Sequence, residues 1–257
     1  MASDDECCFE ASLFVNEDYE VVTYEIGGVA QRVRCSMAAS TDHDLTGQVV
    51  WPVSVLLGWF VARERERFRG ARVLEVGAGC GVAGLIAAAV GADATLTDGS
   101  DTVCRLLARA GDLGVPGGGA ISSAKLVWGD RPSLEALGGR PYDFVLGADV
   151  VQWPALVAPL LQTVRAALAG AARADAAFFV GVCTRAAATE AAFLAEAERV
   201  GFSVEERRGF LPDPPPANAA SKLPVRVLEL RVRPGGGDVA FQSDDPNFRF
   251  DEQPNAC

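Results

Sequence analysis

The stretch Ala71-Arg-Val-Leu-Glu75-Val76-Gly77-Ala-Gly79-Cys-Gly81 decides the fold. Its first six residues read as a buried strand. The glycines after them let the backbone turn tightly and approach a ligand, and the helix that follows presents its N-terminal amides. Strand, glycine loop and helix in that order open a nucleotide-cofactor domain. Two registers compete for the loop, because Gly79-Cys-Gly81-Val-Ala-Gly84 also satisfies the dinucleotide pattern G-x-G-x-x-G. The strand end at Val76 makes Gly77 the first turn glycine, and Gly77-x-Gly79 would then need a third glycine where Val82 stands. A nicotinamide-dependent oxidoreductase is thus the disfavoured alternative.

Working outward, the chain from Ala71 on alternates β-rich runs with helical stretches, the pattern of a parallel sheet with crossover helices. Strands are predicted at 71–76, 92–97, 124–128, 142–148 and 176–184. Helices are predicted at about 80–90, 100–113, 133–137, 154–168 and 189–200, with Pro154 suited to a first helical turn. Then the pattern changes. Runs 202–208 and 225–233 are strand-like, separated by Pro212, Pro214, Pro215 and Pro216 with no crossover helix, so they pair antiparallel. The expected architecture is α/β: a Rossmann-like three-layer sandwich around a seven-stranded, mostly parallel sheet closed by a C-terminal β-hairpin. An N-terminal β/helix extension over 21–70 precedes the main domain of 71–233. In it, β-like runs at 19–26 and 29–35 lead to a helix at about 53–69, apolar in its first half and charged in its second. Residues 1–20 form an acidic segment, and 234–257 read as a polar, disordered tail.

Three strand ends carry candidate ligand-binding groups. Asp98 ends the second strand and can accept two ribose hydroxyls from either cofactor. The third strand runs into Leu126-Val-Trp128-Gly-Asp130, an indole and a carboxylate where an adenine needs a stacking surface and an acceptor. The fourth runs into Gly147-Ala148-Asp149-Val-Val-Gln152-Trp153, small residues that leave room for a cofactor and one acid for a substrate.

Composition narrows the chemistry. Among 257 residues, 34 acids face 23 bases for a net charge of −11, and only Lys125 and Lys222 are lysines. That balance argues against phosphate-neutralising nucleic-acid binding and against anionic lipid surfaces. His43 is the only histidine, in the polar run Ser40-Thr-Asp-His-Asp44, so most His-built zinc sites are excluded and no metal site is expected. Seven scattered cysteines contain no CxxC pair. They suggest a reducing compartment, with the cytoplasm, and in addition the nucleus, as the expected location. The N-terminus is acidic where a presequence would be basic, and no run reaches the 18 or so apolar residues of a membrane span.

The Glu75-x-Gly77-x-Gly79-x-Gly81 loop, Trp128-Gly-Asp130 and the terminal hairpin resemble the seven-β-strand methyltransferases that use S-adenosylmethionine. Thr46-Gly-Gln-Val-Val-Trp51-Pro52 narrows the resemblance to family 16, typically protein-lysine methyltransferases. The resemblance implies Trp51 against the cofactor and Glu75 near its methionine amino group. It puts Gly77, Gly79 and Gly81 around the methionine and ribose, Asp98 on the ribose hydroxyls, and Trp128 and Ala148 around the adenine. Asp149 would hold the acceptor nitrogen. The family pattern there is Asp-x-x-Tyr; here Gln152 replaces the phenol and Trp153 follows as an aromatic wall. The implied activity is methyl transfer to a lysine of a protein substrate. A catalytically weak cofactor-binding protein and a small-molecule methyltransferase are the remaining alternatives.

The acidity is concentrated at the ends. Residues 1–20 carry seven acids and no base, and 234–257 carry five acids against Arg249. Residues 21–233 then balance at 22 acids and 22 bases. The ends are therefore expected to favour a basic protein partner.

Overall fold

The computed structural model describes residues 19–37, 46–219, 223–234 and 240–244. The expectations for 1–18 and for the loop around His43 lie outside the described residues. Among the described residues an antiparallel hairpin comes first, β1 (Tyr19–Ile26) and β2 (Val29–Ser36), followed by α1 (Pro52–Arg63) and α2 (Arg65–Phe68). The main domain then runs β3 (Arg72–Glu75), α3 (Val82–Ala89), β4 (Asp93–Asp98), α4 (Asp101–Leu107), β5 (Ala120–Lys125), α5 (Arg131–Glu135), β6 (Phe144–Ala148), α6 (Pro154–Leu168), β7 (Ala177–Cys183), α7 (Ala187–Arg199), β8 (Phe202–Arg207) and β9 (Val225–Val232). Strand order is β5-β4-β3-β6-β7-β9-β8. The first five are parallel, and β9 enters antiparallel between β7 and the edge strand β8. This is the expected seven-stranded Rossmann-like sheet with its terminal hairpin.

Side-chain alternation builds two separate cores on the two faces of the sheet. Val73, Phe144, Leu146, Ala177, Phe179 and Val227 point to one face and pack with α1, α3 and α4. Leu74, Val145, Phe178, Val180, Leu228 and Leu230 point to the other and pack with α6 and α7. Strands apolar on both faces are what a sheet covered by helices on both sides requires. The hairpin β1–β2 is covered on one face only, and Ile26, Val29, Val33 and Cys35 join the first core.

Three elements depart from the sequence reading. The single helix expected over 53–69 is broken at Glu64, and the second piece turns so that Phe68 is buried against Phe60, Phe144 and Phe179. Arg65 fixes the break by donating to the carbonyls of Ala62 and Gly27. Arg67 reaches the other way, lying over Phe144 and Phe179 and pairing at 3.1 Å with Glu229, a carboxylate 1% exposed that would be costly without a partner. The third strand occupies 120–125 rather than 124–128. As the sheet's edge it is half exposed, so Ala-Ile-Ser-Ser-Ala-Lys lacks the apolar signal of a buried strand, and Leu126 to Asp130 become a loop. The tail is the third. Residues 240–244 dock on that same loop: Phe241 is buried, Arg131 lies over its ring and forks onto Asp244, and the Ser243 amide donates to the Gly129 carbonyl. A lone aromatic with a pairable acid, not apolar periodicity, holds this segment, and composition does not reveal such an anchor.

Candidate active site

A cavity of about 380 Å³ opens at the C-terminal ends of β3, β4 and β6, where open α/β sheets place their ligands. Its floor is the glycine loop. Gly77, Gly79 and Gly81 all have left-handed φ, at +58°, +54° and +75°. A Cβ on Gly77 would stand 2.9 Å from Val150 Cγ1 and 3.0 Å from Trp128 Cζ2, so the loop and the indole wall fit only with glycine there. Gly77 and Gly79 line the cavity; Gly81, at the N-terminus of α3, does not.

Glu75 also lies off the cavity. It is 1% exposed, and its Oε2 accepts from the Gly84 amide at 2.9 Å. Burial pushes its carboxyl up to about 8, against the lowering effect of the Gly84 and Ala83 amides, so it is largely protonated at neutral pH. Gly84, which completes the dinucleotide-like spacing, has a packing role. A Cβ there would meet Leu96 Cδ2 at 2.2 Å and Glu75 Oε2 at 2.6 Å. The second glycine register thus reports how closely α3 lies on the sheet, which does not depend on which nucleotide is bound.

Asp98 ends β4 with its carboxylate on the cavity, buried, accepting from the amides of Gly79 at 3.1 Å and Ser100 at 3.0 Å. Burial raises its carboxyl above the ordinary value, while the amides of Ser100, Gly79 and Gly99 work against that. The segment 46–51 covers this end. Trp51 lines the cavity, and its indole Nε1 donates to the Thr46 carbonyl at 2.9 Å. Trp128 and Ala148 form the next wall. Asp130 is not on the cavity; its carboxylate caps α5 by accepting from the Ser133 amide at 3.0 Å. Cys80 lines the cavity, but burial pushes its thiol well above the ordinary value, which leaves it protonated and a poor nucleophile.

Asp149, Gln152, Trp153 and Leu156 line the far end. Asp149 is the one non-glycine residue with left-handed φ among the described residues, at +61°. Its amide donates to the Gly181 carbonyl at 2.9 Å, and its carbonyl accepts from Gln152 Nε2 at 2.8 Å. Gln152 therefore braces the Asp149 backbone, and Trp153 stands 53% exposed at the rim. The residue the sequence reading missed is Arg185, just past β7. It lines the cavity and forks both terminal nitrogens onto the two carboxylate oxygens of Asp149. Its position at a strand's C-terminal end was the available signal.

The profile of the lysine methyltransferase family matches residues 35–200. This chain belongs to that family. The matched residues take in the segment 46–51 as well as β3 to α7, and so every cavity-lining residue named above. Among curated relatives, protein N-lysine methyltransferase METTL21A of Danio rerio is 38% identical over 117 residues, 45% of this chain and 52% of that protein. Histone-arginine methyltransferase METTL23 of Xenopus laevis is 35% identical over 125 residues, 46% of this chain and 50% of that protein. The chain spans about half the length of the curated relatives it matches. Among solved structures, the T. thermophilus 16S rRNA N2 methyltransferase RsmC in complex with AdoMet and guanosine superposes with a TM-score of 0.51. It is 15% identical, over 84% of this chain and 51% of that one, a likeness of fold.

Proposed function

We propose that this chain is an S-adenosylmethionine-dependent methyltransferase that acts on a lysine side chain of a protein. The observation that carries the reading is one continuous cavity with a cofactor cradle at one end and an acceptor carboxylate at the other. The cradle fits the cofactor. Gly77 and Gly79 would let its methionine and ribose lie against backbone, Asp98 would accept ribose hydroxyls, Trp128 and Ala148 would flank the adenine, and Trp51 would cover it. Glu75 and Gly81 would act from behind, by setting α3 on the sheet. When bound, the cofactor supplies a methyl group already activated on a sulfonium, so no nucleophilic side chain and no metal need be supplied by the protein. The residues at the far end would do the rest: Asp149 holds and orients the acceptor nitrogen, Gln152 braces Asp149, and Trp153 narrows the approach, bringing the reactants to about 3 to 3.5 Å. The acceptor arrives as an ammonium and gives up one proton to water before it reacts, because an ammonium has no lone pair. The lysine specificity named for the zebrafish relative supports lysine as acceptor here, and the acidic ends support a basic protein partner. A reducing compartment such as the cytoplasm suits the free buried cysteines at 35, 80 and 183. Titration with S-adenosylhomocysteine and with NAD tests the reading. Micromolar binding of S-adenosylhomocysteine and none of NAD is expected; binding of NAD alone would overturn it.

A further inference from the structure

We propose that Arg185 is the gate of the acceptor seat: in the free chain its guanidinium occupies the carboxylate of Asp149, and an incoming ammonium has to take that carboxylate from it. The inference rests on the reading of Asp149 as the acceptor's anchor. The two partners are unequal in freedom. Asp149 is held by its left-handed backbone, by its amide on the Gly181 carbonyl and by Gln152 on its own carbonyl, and its side chain is 5% exposed. The Arg185 side chain is 40% exposed and rises from the short connection between β7 and α7. Among the described residues, Asp149 is its one side-chain acceptor. The carboxylate is fixed, and the guanidinium is the part that can leave.

The chemistry of the fork sets the cost of leaving. A bidentate guanidinium matches both carboxylate oxygens, whereas an ammonium is a point charge without that geometry. Seating both would put two cations on one carboxylate, so the ammonium and Arg185 compete. Apparent affinity for the acceptor is then reduced by the fraction of molecules whose seat is open. Until the acceptor arrives, Arg185 also spares the protein a buried, unpaired carboxylate. Gating is thus the reason a residue outside the Asp149–Trp153 run reaches across from the next strand.

The test uses n-butylammonium as a lysine side-chain probe, followed through the indole NMR resonances of Trp51 and Trp153, with and without S-adenosylhomocysteine. R185Q is expected to bind the probe at least tenfold more tightly than wild type, and R185K to fall between them. The double variant R185Q/D149N should lose the gain. Melting temperatures report whether each variant folds, and R185K keeps the comparison readable if R185Q does not. Equal or weaker probe binding by R185Q or R185K would overturn the gate. Failure of wild type to bind S-adenosylhomocysteine would sink the methyltransferase reading instead, since the amine titration reads the gate without the cofactor product.

Discussion

Glu75→Gln should remove a large part of the protein's pH-dependent stability. The carboxyl, whose ordinary value is 4.5, titrates at about 8 in the folded chain because it is fully buried. The folded state therefore binds this proton more tightly than the unfolded state. Between those values the unfolded chain carries fewer protons than the folded one, so stability falls as pH rises. The contribution is fully present below about pH 4.5 and is lost as pH climbs through 8. A span of about 3.5 pH units at about 1.4 kcal/mol per unit sets an upper bound of about 5 kcal/mol. Glutamine is neutral throughout and can still accept from the Gly84 amide. The variant should match wild type near pH 5 and exceed it by several kcal/mol at pH 9. Urea denaturation from pH 5 to 9 measures this, and the difference between the two proteins isolates Glu75 from Asp98, whose buried carboxyl shifts the same way. Parallel profiles for the two proteins would refute the buried, protonated Glu75.

Other consequences are open to simple measurement. Gly84→Ala should cost about 1–3 kcal/mol by thermal unfolding, because its Cβ overlaps Leu96 and Glu75 and this outweighs the gain in helix propensity. Asp98→Asn should weaken S-adenosylhomocysteine binding by tenfold or more in calorimetry, since it replaces one acceptor oxygen on the cavity wall by an amide donor. Phe241→Ala should raise hydrogen exchange at residues 127–131 and leave the strands β6 and β7 protected, because the docked tail touches that loop and not the sheet centre.

The parts of the fold that repeat a strong pattern were legible in the sequence. The helix at 154–168 has the expected bounds, with proline at its first position, and the hairpin β1–β2 follows its alternation. Legibility failed where a single long-range contact overrides the local signal. The burial of Phe68 breaks a helix whose charge pattern runs on through Arg69, and β5 takes its register from β4 rather than from its own apolar residues. Phe241 anchors a segment that is otherwise polar. At the site, residues next to a strand end were readable by position. The spending of Asp130 on a helix cap and of Gly84 on close packing were not, because the same residue types serve both uses. Arg185 escaped for a related reason: its meaning comes from Asp149, 36 residues away in sequence and just past the end of the adjacent strand.

Methyl transfer to a protein is the activity proposed for the cavity. The direct measurement is incubation of the purified chain with radiolabelled S-adenosylmethionine and cell lysate, in parallel with Asp149→Ala, followed by mass spectrometry of any labelled band. A protein band modified on lysine is expected with wild type and none with the variant, which should still bind S-adenosylhomocysteine. Label confined to small molecules, no label with wild type, or equal labelling by Asp149→Ala would contradict it.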